Sequence, residues 1–347
     1  MKSHLVPYLI KNFNPYYLDM QIKLIKPGLH TTIQDLGRNY FLSQAVPLSG
    51  ALDPLSAKIA NLAVGNLPTD AVLEFTYANA SFQCETALLI GYAGGGSTLT
   101  VNGAKLPAKR AIFLPAGTVV TLVNNEVGVR TYLSVAGGWD VPKILGSSST
   151  YLPAAFGGYA GRLLKKDDLI SNGNAYGSIT SRILDQLNSG SVRYNTWGIP
   201  DHFLSPKEKN TIRIFAGREI TWFDSNSIID LLSLPFNVDL KSNRMGILLK
   251  GNQMKKTISQ ELLSTAVCPG TIQVTGNGEL ILLMADCQTT GGYPRIAQVA
   301  MVDIPICAQL KPREEIYFSV IDYSEAEQLY YQQEAELERL AHAIYTK

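Results

Sequence analysis

The chain has 347 residues, four cysteines and a net charge of +1, with 46% hydrophobic and 17% charged residues. That length builds a sizeable core and two ordinary domains, and the near-neutral balance excludes a charge-driven binder of nucleic acid, membrane surfaces or acidic substrates. No run of about 18 apolar residues occurs, so no transmembrane helix is expected.

Residues 1–19 carry no clear period, and their short apolar run contains Pro7 with no small-residue cleavage site after it. They are expected to be an N-terminal extension or the product of an upstream start codon, with the organised chain beginning at Met20. The alternation after Met20 predicts a strand. A helix is expected from Asp53, where Asp caps, Pro54 fits the first position, and Leu55, Ile59 and Leu62 share a face. Gly65-Asn66 stops it, and a strand follows over 72–77.

The runs 87–92, 97–101, 111–114, 118–123 and 130–135 are short and β-rich, each bounded by Gly, Pro or Asn turns. Asn102-Gly103 is a two-residue hairpin signal. Residues 166–210 are polar and are expected to be a linker or excursion. A second β-rich half begins at Thr211 and includes 246–251, 270–274, 279–284 and 316–320. A final helix is expected from Ser324, with Glu327 completing a capping box. It runs through Leu329, Leu337, Leu340 and Ile344 and is expected to pack on its own domain.

The fold class is therefore mainly β, with barrels or sandwiches built from short strands. The expected divisions are an extension (1–19), a first domain (20–165), the linker (166–210), a second domain (211–322) and the helix (323–347). A short echo, PGLHTTIQ at 27–34 and PGTIQ at 269–273, is what two related β-domains would leave.

Cys84, Cys268, Cys287 and Cys307 have neither metal-finger nor redox spacing, which reads as a reducing, cytoplasmic protein. There is no Walker loop, no HExxH and no Gly-x-Ser-x-Gly. His4, His30, His202 and His342 are the only histidines, too few and too scattered to expect a metal site. What remains is a set of dense Gly, Thr, Ser, Asp and Arg segments at 28–38, 46–53, 135–150, 242–246 and 285–297. Each alone is accounted for as turn, cap or ion-pair chemistry. Five in one β-rich chain point to loops that mount a binding site on a rigid scaffold.

Read together, PGLHTTIQDLGR, VPLSGALDPLSAKIANLAVGN with LEFT, VAGGWDVPKILGSSST, FGGYAGRLL, SNRMGILLKG, PGTIQV and LMADCQTTGGYPRIAQVA resemble the biotin-dependent carboxyltransferase-like family. That family includes the C component of bacterial ATP-dependent 5-oxoprolinase, the KipA type. It also includes the carboxyltransferase domain of urea carboxylase, once called allophanate hydrolase subunit 2. The resemblance implies two cyclophilin-like β-barrels facing across a cleft. It implies a KipI-type B component and an A component as partners, and ATP with Mg at the level of the complex. The implied reaction is the opening of 5-oxoproline to glutamate.

On this resemblance Thr31, Thr32, Gln34, Asp35, Arg38, Ser49, Asp53, Arg244, Asp286, Thr289, Thr290, Gly291 and Tyr293 are expected to line the cleft, with no catalytic residue assigned. Amide polarisation suits such donors, since backbone N–H groups, hydroxyls and guanidiniums all stabilise developing negative charge. The chain departs from the family pattern at Ser148, Cys287 and Leu248, where arginine is usual, and at Leu163 and Asp167. Two alternatives stay open: a carboxyltransferase component acting on urea or an amide, for which biotin would arrive on another protein, and a regulatory partner of a KipI-type kinase inhibitor with little chemistry of its own.

Overall fold

A computed structural model describes residues 19–173, 176–200 and 210–346. All of the expected N-terminal extension except Asp19 lies outside them.

The first half supplies β1 (Gln21–Pro27), β2 (His30–Gln34), α1 (Pro54–Ala63), β3 (Val72–Thr76), β4 (Ala80–Cys84), β5 (Leu88–Ala93) and β6 (Ser97–Val101). It continues with β7 (Ala104–Lys105), β8 (Ile112–Leu114), β9 (Val119–Asn124), β10 (Arg130–Val135), β11 (Leu169–Ser171), α2 (Ser178–Leu187) and β12 (Arg193–Tyr194). These strands form two six-stranded sheets, ordered β11-β1-β4-β9-β6-β7 and β12-β8-β5-β10-β3-β2. Ile22, Leu24, Phe82, Ile90, Leu133 and many others fill one core.

Local chemistry sets the elements. Asn102 and Gly103 both take positive φ, 50° and 80°, and Val101 pairs with Ala104 across them, as a two-residue hairpin requires. Asp53 caps α1 by accepting from Ser56 N at 2.9 Å, and α1 packs on β5 and β10.

The stretch 166–210 is not a bare linker. Gln21 pairs with Ser171 and Arg193 with Phe113, so its strands extend both sheets of the first half. Ile170, Ile179, Ile183 and Leu187 enter the first core. Its polar surface residues hid the apolar positions that face inward.

The second half supplies β13 (Thr211–Ala216), α3 (Ser225–Ser233), β14 (Phe236–Val238), β15 (Gly246–Lys250), β16 (Thr265–Ala266) and β17 (Thr271–Val274). Then come β18 (Leu280–Leu283), β19 (Thr290–Gly291), β20 (Arg295–Val299), α4 (Ile304–Gln309), β21 (Glu315–Val320) and α5 (Tyr323–Tyr345). Seven strands close into a barrel, β13-β20-β17-β18-β15-β14-β21, and β16 pairs with β19 as a separate ribbon. The sequence echo has a structural counterpart: Gly28 and Gly270 both take positive φ, 79° and 88°, and each leads into a strand ending in Ile-Gln or Ile-Gln-Val.

The final helix spans the expected residues but differs from expectation in its cap and in its packing. Its cap is Asp322, which accepts from Glu325 N at 2.7 Å, because a side-chain acceptor two residues before Ser324 already satisfies the first turn. It also straddles the two halves. Ala326 and Leu329 pack with Ala300 and Ile321, while Leu337 and Ile344 belong to the first core. Lys58 and Glu334 pair at 2.7 Å, and Tyr345 OH donates to Asn66 O at 2.6 Å. A 23-residue helix is roughly 35 Å long, more than one small barrel can cover. No helix among the described residues is long and apolar enough to cross a membrane.

Candidate functional site

The two halves meet across a polar face. Alternation along β2 puts Thr32 and Gln34 on one side of the sheet and Thr31 and Ile33 on the other. Register places Thr32 opposite Glu74 and Glu74 opposite Tyr132, so these side chains share the face turned toward the second half. Thr31 does not join them; its hydroxyl donates to Pro27 O.

After β2 the chain turns sharply. Asp35 holds the turn by accepting from Gly37 N at 2.8 Å, Ser148 N at 2.6 Å, and the hydroxyls of Ser147 and Ser149, each at 2.6 Å. Gly37 is required here: its φ is 88°, and a Cβ would stand 2.5 Å from the Leu48 carbonyl oxygen. Arg38 is buried along the same loop. Its Nε donates to Ile144 O at 3.2 Å, its Nη2 to Ser149 O, and its guanidinium lies 4.7 Å from the centre of the Phe156 ring. Burial pushes its pKa down, with Asp35 and Asp286 opposing.

Ser49 sits at φ 56°, a left-handed conformation that costs a non-glycine residue energy. Its N–H donates to Ala285 O at 2.8 Å. Its hydroxyl lies 2.8 Å from Asp286 Oδ1 and 3.2 Å from Thr150 O. Arg244 completes the junction. Its Nε reaches Asp286 Oδ2 at 2.7 Å, its Nη2 donates to Gly50 O at 2.6 Å, and its Nη1 donates to Glu74. Glu74 also accepts from Leu52 N at 2.9 Å and Tyr132 OH at 2.8 Å.

Glu74, Arg244 and Asp53 are buried, which shifts their protonation equilibria. Burial alone would raise the Glu74 carboxyl, but Arg244 and then Arg130 outweigh it and hold it below the usual carboxylate range. Burial would lower Arg244, but Glu74 and Asp286 outweigh it and push it above its ordinary value. Burial, then Arg244, lowers His30, leaving a neutral imidazole beside the cluster at neutral pH. Burial raises Asp53, which caps α1 and accepts from Gln309 Nε2 at 2.8 Å.

Apart from Thr31, the expected cleft residues fall into three groups. Thr32, Gln34, Ser49, Asp53, Arg244 and Asp286 come together at the seam. Asp35 and Arg38 build the loop beside it. Thr289, Thr290, Gly291 and Tyr293 bond within the second half: Val267 N donates to Thr289 O at 3.0 Å, Thr290 and Gly291 pair with β16, and Gln273 Nε2 donates to Tyr293 O at 3.0 Å. The crossing is made one turn earlier, by Ala285 and Asp286. Glu74, Tyr132, Arg130 and Gln309 were missed. A charged residue inside the apolar run Val72–Thr76 was the available signal for Glu74.

Three buried polar atoms in this region have no hydrogen-bond partner among the described residues, Gln34 Oε1, Arg38 Nη1 and Arg130 Nε. The first is an acceptor and the other two are donors. The usual-arginine positions are otherwise occupied: Ser148 holds Asp35 through its backbone, and Cys287 packs with Val267 and Leu283.

Residues 44–320 match the family described as carboxyltransferase domain, subdomain A and B. The chain is 36% identical over 332 residues to the 5-oxoprolinase C subunit of Escherichia coli (strain K12), covering 94% of this chain and 99% of that protein. It is 29% identical over 341 residues to urea amidolyase of Saccharomyces cerevisiae, covering 93% of this chain and 18% of that much longer protein. The crystal structure of the K. lactis urea amidolyase superposes with a TM-score of 0.83 at 27% identity, over 93% of this chain and 20% of that one.

Proposed function

From the premise that this chain belongs to the carboxyltransferase domain family, subdomain A and B, we propose that it is the C component of an ATP-dependent 5-oxoprolinase. The observation that supports this most is the end-to-end correspondence with a protein of that name, 99% of which this chain covers. In this reading the chain acts with a KipI-type B component and an A component. The net reaction consumes two waters: one adds across the lactam C–N bond of 5-oxoproline, giving glutamate, and one accompanies the conversion of ATP to ADP and phosphate.

The seam gathers buried polar side chains from both halves of the chain. What its residues offer is a buried donor without a partner among the described residues, Arg38 Nη1, and a buried acceptor without one, Gln34 Oε1. In a site of low dielectric such groups polarise an amide carbonyl and fix its orientation without reorganising.

The test is reconstitution. Purified with its B and A partners, the chain should support ATP hydrolysis that depends on 5-oxoproline, and omitting the chain should abolish it. A second reading, a carboxyltransferase component acting on urea or a related amide, is favoured by the structural likeness to urea amidolyase. It predicts instead a requirement for bicarbonate and a biotin-carrying protein. Turnover of that kind, with none from 5-oxoproline, would overturn the first reading.

A further inference from the structure

Gln34 is the last residue of β2 and is fully buried. Its amide cannot be turned at will. One end faces Thr150 O at 3.3 Å, and a carbonyl oxygen only accepts, so that end must be the NH2 group. The same nitrogen donates to Thr32 Oγ1 at 2.9 Å. The carbonyl oxygen Oε1 is thereby aimed away from both, and among the described residues no donor reaches it. A buried acceptor left unsatisfied is costly, and native structures retain few.

Its position argues for a purpose. Gln34 shares its sheet face with Thr32 and Glu74, the face that meets the second half. Thr150 O, which fixes the amide, also lies 3.2 Å from Ser49 Oγ, and Ser49 in turn bonds Asp286. The open oxygen thus belongs to the group that joins the halves.

We infer that Gln34 Oε1 is the acceptor for the ring N–H of a small amide ligand, the lactam N–H when the ligand is 5-oxoproline. This deepens the proposed function and rests on the seam being the substrate site. It makes Gln34 a specificity residue: a molecule of the same shape with oxygen in place of N–H presents lone pairs to a buried lone pair and is rejected.

The experiment compares lactams with their lactones on the assembled complex by calorimetry. The pairs are 5-oxoproline against 5-oxotetrahydrofuran-2-carboxylate, and 2-pyrrolidone against γ-butyrolactone. The wild type should bind each lactam more tightly by a factor of about ten or more, since sites built to hydrogen-bond an N–H reject analogues that lack it. Gln34→Met should level the two. If the wild type binds lactam and lactone alike, or binds neither lactam, the inference is overturned with no variant needed. If Gln34→Met folds and keeps the preference, it is overturned as well. If 2-pyrrolidone shows the preference while 5-oxoproline fails to bind, the acceptor role stands and the 5-oxoprolinase reading falls.

Discussion

Ser49 Oγ and Asp286 Oδ1 lie 2.8 Å apart although 237 positions separate them in the chain. The bond joins a strained turn of the first half to the end of a barrel strand in the second. Around it Arg244 binds Asp286, Glu74 and the Gly50 carbonyl at once. The glycine-rich segments of the two halves thus converge on one buried polar seam, and most of their polar atoms are committed to holding it.

Among the described residues, Arg244 is the guanidinium bonded to both seam carboxylates. Arg244→Met should leave Glu74 and Asp286 buried without the guanidinium that bonds both, although Arg130 still acts on Glu74, and breaking a buried pair in this way typically costs about 3–5 kcal/mol. Urea unfolding measures it. A loss well under about 1 kcal/mol, the usual range for an exposed pair, would show that the seam is open to water.

The seam should also make the protein acid-sensitive. Glu74 titrates below its ordinary value of about 4.5 in the fold, and His30 below about 6.5. For both, the folded pKa is depressed. Their stabilising contribution is therefore present above those ordinary values and is lost as pH falls through the folded ones. Asp53 is raised and opposes the trend: its contribution is complete below about 3.8 and lost as pH rises. Unfolding midpoints measured from about pH 7 to about pH 4 should fall for the wild type. His30→Gln should flatten the part that begins near 6.5. An unchanged slope in that variant would assign the acid sensitivity to other groups.

The four thiols should separate cleanly. Cys268 is exposed, while Cys84, Cys287 and Cys307 are buried. Burial pushes Cys84 and Cys287 up to about 12 and raises Cys307 further, which suppresses the reactive thiolate. An aromatic disulfide reagent should label one thiol rapidly in the native protein and all four in denaturant. Rapid labelling at Cys287 would mean that the 286–291 loop opens in solution.

The C-terminal helix is predicted to fasten the halves together. Leu337→Ala removes a buried side chain from the first core and should cost about 2–5 kcal/mol. Tyr331→Ala, on the exposed face, should stay within about 0.5 kcal/mol. Equal effects in urea unfolding would place the helix off the first half in solution.

Much of this was legible in the sequence where local rules act alone. The strands Ser97–Val101 and Arg130–Val135, the Asn102-Gly103 hairpin and the Asp53 cap follow from alternation, turn chemistry and side-chain capping. The short α4, and the strands extending the first sheets from 169–171 and 193–194, carry no strong period of their own and are set by what they pack against, whereas α3 has a local signal that the sequence reading passed over, the Asp224 cap on Ser227 N. For the site, composition marked the segments that hold Arg244, Ser49 and Asp286, and the family resemblance put these residues in a cleft. Neither could show that they bond to one another, because that depends on how two separately folded halves dock. Glu74 escaped for the opposite reason, since its strand looks like ordinary core.

A crystal structure of the assembled complex with 5-oxoproline bound would put the seam to its hardest test. The lactam should lie at the junction of the halves, with its N–H on Gln34 Oε1 and side chains from both the 32–38 and 49–53 segments around it. A lactam seated elsewhere on the complex, with Gln34, Ser49 and Arg38 untouched, would contradict a substrate site at the seam.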